Sequence, residues 1–113
     1  MQNYFTDAEL KCKCCGKLII DELFLAKLNA ARAMAGFPFI ITSGYRCIKH
    51  NADVGSTSAN HTSGKAADIK CIYSGERYIM VQTMFYAGML GIGISKGFIH
   101  CDINRSLKSL WTY

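Results

Sequence analysis

Two stretches of the chain set ionisable side chains at spacings that suit metal chemistry. In His61-Thr-Ser-Gly-Lys-Ala-Ala-Asp68 a loop histidine leads into an aspartate that sits inside an apolar strand pattern. Gly64 permits a sharp turn between the two, so both can converge on one ion. In Phe98-Ile-His100-Cys-Asp102 the alternation of an extended chain puts His100 and Asp102 on one face, with Ile99, Cys101 and Ile103 on the other. The same parity sets Asp68 and Lys70 against Ile69 and Cys71. If the two strands are neighbours, His61, Asp68 and His100 supply two imidazoles and a carboxylate with a fourth position open. That is the pattern of a catalytic zinc rather than a closed structural one. A lone histidine near a strand end is ordinarily a hydrogen-bonded structural residue. Asp68 resists that reading, because an isolated carboxylate in an apolar strand is costly unless paired or metal-bound. Cys101 and Cys71 point away from the ion by parity and belong to the core.

The elements that must position these residues can be read from capping and periodicity. Thr6-Asp-Ala-Glu9 is a capping box opening a short helical turn. Asp21 caps a helix over 22–35, where Leu25, Leu28 and Ala31 recur at helical spacing, and Gly36 closes it. Residues 39–42 form a buried strand. A polar loop follows from Ser43 to about Lys65, too long to be mere connection, and it holds Arg46, His50, Asn51 and His61. A strand over 66–72 comes next, then a helix over roughly 75–90 capped by Ser74, with Ile79, Phe85 and Met89 on its apolar face. Short strands at 91–94 and 98–103 flank a turn at Ser95-Lys-Gly97. Helices early and in the middle, with strands clustering late, predict an α+β domain.

Composition bounds the rest. With 113 residues, 50% hydrophobic, 12% aromatic and 19% charged, the chain is expected to fold as a single domain over 1–113 and not to be disordered. No run approaches the ~18 apolar residues of a membrane span. The start has neither the basic nor the apolar region of a secretion signal. The net charge of +5 favours acidic partners. The basic residues are scattered without aromatic interleaving, so a nucleic-acid groove is not expected. Six cysteines include the trio Cys12-Lys-Cys14-Cys15, followed by Gly16. A four-thiolate site needs a second pair, and Cys47, Cys71 and Cys101 are single, so free or structural thiols are the expectation. A protein built on zinc at the trio is the weakest of three functional readings.

Further motifs carry a resemblance. Thr42-Ser-Gly-Tyr-Arg46, His50-Asn51, Val54-Gly55, His61-x-x-Gly64-x-Ala66-x-Asp68-Ile69, Gly91-Ile-Gly93 and Phe98-Ile-His100-x-Asp102 occur in this order. Together they resemble the zinc D-alanyl-D-alanine carboxypeptidase family, most closely its short phage-type branch of peptidoglycan peptidases. Phe5-Thr6, Glu9 and the Cys/Gly patch resemble that branch's N-terminus, and Trp111 its tail. The resemblance implies a zinc ion on His61, Asp68 and His100, with Arg46 binding substrate or stabilising the oxyanion. It also implies a small central antiparallel sheet flanked by helices, as in lysostaphin-type peptidases and hedgehog domains. The implied activity is hydrolysis of peptidoglycan stem peptides, as a DD-carboxypeptidase or as an endopeptidase such as the L-alanyl-D-glutamate endopeptidases of phage endolysins.

The sequence departs from the family pattern in two places. Many members place Glu or Asp three residues before the last histidine ligand, as a general base; here that residue is Gly97. Asp102, on the same face as His100, is the substitute that parity offers. Its other role is support, orienting His100 or pairing with Arg46. Many members also have Ser two residues before the first histidine, where this chain has Ala59 beside Ser58. His50 is read as structural, holding the loop with Asn51. The missing carboxylate opens a second functional reading, a non-catalytic zinc-containing module that binds the wall or a partner. The expected setting is a monomer, made in a host cytoplasm and acting at the wall after holin release or from a virion.

Overall fold

In the computed structural model, which describes residues 2–113, a sheet forms the floor on which the polar residues stand. The elements run α1 (Asp7–Leu10), α2 (Glu22–Ala35), β1 (Ile41–Ser43), α3 (Ile48–Asp53), β2 (Ala66–Lys70), α4 (Ser74–Ala87), β3 (Gly91–Ile94), β4 (Phe98–Asp102) and β5 (Ser109–Thr112). The five strands lie in the order β1-β2-β4-β3-β5, antiparallel except for the β3–β5 pair. The architecture is α+β, as expected.

The caps explain the helix ends. Thr6 and Glu9 form the reciprocal capping box of α1, and the Asp21 carboxylate accepts from the Phe24 amide at the start of α2. Gly36 ends α2 in the left-handed conformation, which its missing Cβ permits at little cost. α4 begins at Ser74 and is preceded by Tyr73, with no side-chain cap, so Ser74 is its first residue and not its cap. α2 and α4 pack on each other and on one face of the sheet. Phe24, Leu28, Met80 and Met84 meet Ile69, Cys71, Ile99 and Cys101 there. Each large apolar side chain so buried contributes about 1.5–3 kcal/mol.

Three differences from the sequence reading stand out. β1 starts at Ile41 and is an edge strand, not a buried one: Ile41 and Ser43 are half-buried and Thr42 is exposed, while Phe39 is buried ahead of it. The loop beyond Ser43 contains a helix, α3, whose N-cap is the Cys47 thiol accepting from His50 N–H at 3.4 Å. β5 adds a fifth, parallel strand beside β3.

Candidate metal centre

β2 and β4 are antiparallel neighbours, and the register sets Asp68 opposite His100 and Ala66 opposite Asp102. With the odd-numbered residues of both strands in the core, these polar side chains share the opposite face. His61 reaches them from the loop, and Gly64 holds that loop in place. Gly64 has φ +73°, its carbonyl accepts from Asp21 N–H at 3.0 Å, and a Cβ there would lie 2.5 Å from the Ile19 carbonyl. No larger residue fits so close to that backbone.

One donor atom from each of His61, Asp68 and His100 lies within 4.8 Å of the others, and all three residues are buried. His61 Nε2 is 3.4 Å and His100 Nδ1 3.0 Å from Asp68 Oδ1. The far nitrogen of each ring meets an acceptor. His61 Nδ1 is 2.8 Å from the Gly44 carbonyl, and His100 Nε2 is 2.7 Å from Asp102 Oδ2. A carbonyl can only accept, so His61 Nδ1 carries the proton and the lone pair of its Nε2 lies on the Asp68 side. Both nitrogens of His100 meet carboxylate oxygens; with a cation beside Asp68, the proton would stay on Nε2 against Asp102 and the Nδ1 lone pair would face the ion. Imidazoles backed in this way, together with a carboxylate, fit a zinc ion.

Electrostatics follow from the crowding. Burial works to raise the Asp68 pKa, but the neighbouring His100 and His61 outweigh it and hold the carboxyl well below the usual range. Burial likewise opposes ionisation of Asp102, yet His100 and Arg105 bring it down to about 2. Burial disfavours the charged form of His100, whereas Asp102 and Asp68 raise its pKa above the ordinary value.

The residues around this centre divide into those the sequence identified and those it missed. The Arg46 side chain donates to Ser43 Oγ (3.0 Å), Asn51 Oδ1 (3.4 Å) and Asp68 Oδ2 (3.5 Å). It also lines a cavity of about 320 Å³ shared with His61, Asp68 and His100. Asn51 ties the loop by donating to the Ser58 carbonyl at 2.9 Å, whereas His50 contributes its backbone N–H to Cys47. Asp102 has no exposed surface. Its partner is Arg105, at 2.9 and 2.6 Å, and not Arg46. Arg105 and the aromatic wall of Trp111 and Tyr113 were not identified as part of the site. Trp111 covers His100 and Arg105 together, its ring 5.4 Å from that of His100 and 4.5 Å from the Arg105 guanidinium carbon. Arg105 lies beyond the end of β4, where no periodicity predicts which way a side chain turns.

Gly97 sits in the turn before β4, exposed, and a Cβ there would meet nothing within 4 Å. The cysteines give one correction. Cys47 is not isolated, because its sulfur lies within 4.8 Å of those of Cys12 and Cys15. Spacing along the chain could not show this convergence across the fold.

Comparison with known families gives a match to the one described as Peptidase M15, over residues 3–102. Comparison with curated proteins gives no match.

Proposed function

The chain belongs to the peptidase M15 family, and from that premise we propose that it hydrolyses peptide bonds in peptidoglycan stem peptides, with zinc held by His61, Asp68 and His100. The observation that carries the reading is the backing of both imidazoles, by Gly44 and Asp102, which leaves the near nitrogen of each ring on the Asp68 side. Zinc, when bound, supplies Lewis-acid polarisation of a carbonyl and lowers the pKa of water toward ~7.

The remaining work falls to side chains. Arg46 uses three of its five N–H donors on Ser43, Asn51 and Asp68, which fixes the guanidinium at the cavity and leaves two donors for a substrate carbonyl or carboxylate. Held in this way, it meets charge developing on the scissile carbonyl without reorganising. Trp111 and Tyr113 wall the cavity. Of the two roles open to Asp102, its geometry favours orienting His100. Accepting a proton would require one of its bonds to Arg105 or His100 to give way. Action as a monomer at the cell wall, as part of a phage lysin released by a holin or carried on a virion, belongs to the same proposal. It rests on the resemblance to the phage-type branch and on the charge of +5.

Gly97 supports a second reading, a wall-binding module that keeps the zinc but lacks the proton acceptor many relatives carry at that place. One experiment separates the two. The zinc-loaded protein is incubated with peptidoglycan and the products are followed by mass spectrometry, with His61→Ala as control. New peptide ends in the wild type alone are expected, and they identify the bond as a carboxypeptidase or an endopeptidase target. An intact wall beside a zinc-loaded chain would favour the module, and cleavage surviving His61→Ala would remove the metal centre from the reaction.

A further inference from the structure

A second convergence of donor atoms lies outside the His–Asp centre. The sulfurs of Cys12, Cys15 and Cys47 are all within 4.8 Å of one another, and Cys14 is in side-chain contact with Cys47. No disulfide joins them. The local chain is shaped to gather these groups. Cys12 N–H donates to the Lys17 carbonyl at 2.7 Å, and Gly16 N–H donates to the Cys12 carbonyl at 2.8 Å. Gly16 has φ +75°, so the chain folds back just after Cys15. Tyr45 N–H donates to the Leu10 carbonyl at 2.8 Å, which draws the stretch leading to Cys47 against the turn.

The sulfurs also receive backbone donors. Cys47 N–H points at Cys12 Sγ and His50 N–H at Cys47 Sγ, each at 3.4 Å. Simple packing would bury every member of the group. Here Cys12 is buried, Cys47 half-buried, and Cys14 and Cys15 exposed, so the cluster opens toward solvent on the side where Cys14 stands.

We propose that Cys12, Cys14, Cys15 and Cys47 hold a structural zinc ion, separate from the His61–Asp68–His100 centre. Cys12-x-x-Cys15 is a common spacing for one half of such a site, and four thiolates around a d¹⁰ cation leave no open coordination position. The ion's work is therefore mechanical. It fastens the 12–17 turn to the residue next to Arg46, and so steadies the guanidinium from behind. Gly44, whose carbonyl backs His61, lies in the same clamped stretch: a Cβ on it would fall 2.5 Å from the Leu10 carbonyl.

Cobalt is the probe. The reduced, metal-free wild-type chain is titrated with Co²⁺ under argon and its absorption recorded, then zinc is added. The expected result is a thiolate-to-cobalt charge-transfer band with strong tetrahedral visible bands, both abolished by zinc. The double variant His61→Ala/His100→Ala keeps the bands and loses one equivalent of zinc by elemental analysis. Cys15→Ser/Cys47→Ser loses the bands and keeps the other equivalent. Absence of the charge-transfer band from the reduced wild type overturns the proposal, whether or not any variant folds. A band that vanishes with the two histidines overturns it too. Because the readout is optical, a failure to cleave peptidoglycan leaves it untouched, and the two proposals fail separately.

Discussion

Asp102 shows how much of the centre depends on a residue that does not face the cavity. It accepts from His100 and from two Arg105 nitrogens, so replacing it with Asn frees the imidazole to turn and leaves Arg105 without its anion. Asp102→Asn is expected to weaken zinc binding about 10–100-fold, measured by competition with a chromophoric chelator. Unchanged affinity would refute the positioning role. Gly97 allows the converse experiment, since a side chain there meets no neighbour and the backbone is not in the left-handed region. Gly97→Glu is expected to raise turnover on peptidoglycan about 10-fold or more at constant zinc content, a fraction of the ~10²–10⁴ that a general base commonly supplies. Unaltered turnover would show that a carboxylate from this turn does not reach the reacting water. At this scale the sequence was informative where side chains alternate. Asp68, His100 and Asp102 could be set on one face because extended backbone permits only two directions. Arg105 and Cys47 act through side chains on irregular backbone, where no such rule applies.

Among the elements, α2 was legible to the residue because a carboxylate cap and a glycine stop bracket a regular apolar stripe. α3 was not, since its cap is a thiol and its six residues are too few for a periodic pattern. β5 escaped notice for a related reason. Ser109, Leu110 and Thr112 are exposed, and pairing parallel to β3 requires no hairpin signal before it. What seats β5 is Gly93, opposite Trp111 in the register. A Cβ on Gly93 would fall 2.6 Å from the indole ring. Gly93→Ala is expected to lift β5 from the sheet edge and to destabilise the fold by about 1–3 kcal/mol, as overpacking does. The urea unfolding midpoint measures it, and an unshifted midpoint would mean that the indole does not rest on this glycine.

For the molecule as a whole, the α+β class was legible because β3 and β4 follow one another across a short turn with no helix between them, as an antiparallel pair allows. The strand order was not, since nothing in the residues states that β4 inserts between β2 and β3. No helix among the described residues is long and apolar enough to cross a membrane. If the chain acts at an anionic wall, as proposed, its charge of +5 should contribute to its retention there. Raising the ionic strength from about 0.1 to about 1 M shortens the screening length from ~10 to ~3 Å. The fraction of protein sedimenting with purified sacculi should fall several-fold over that range. Retention independent of salt would point to specific contacts in place of net charge. The last strand has one more consequence. Trp111 is the only tryptophan in the chain, and it lies against both the His100 ring and the Arg105 guanidinium. Its emission therefore comes from the candidate centre alone, so metal uptake, substrate entry or a turned imidazole would each change the light from an unlabelled protein.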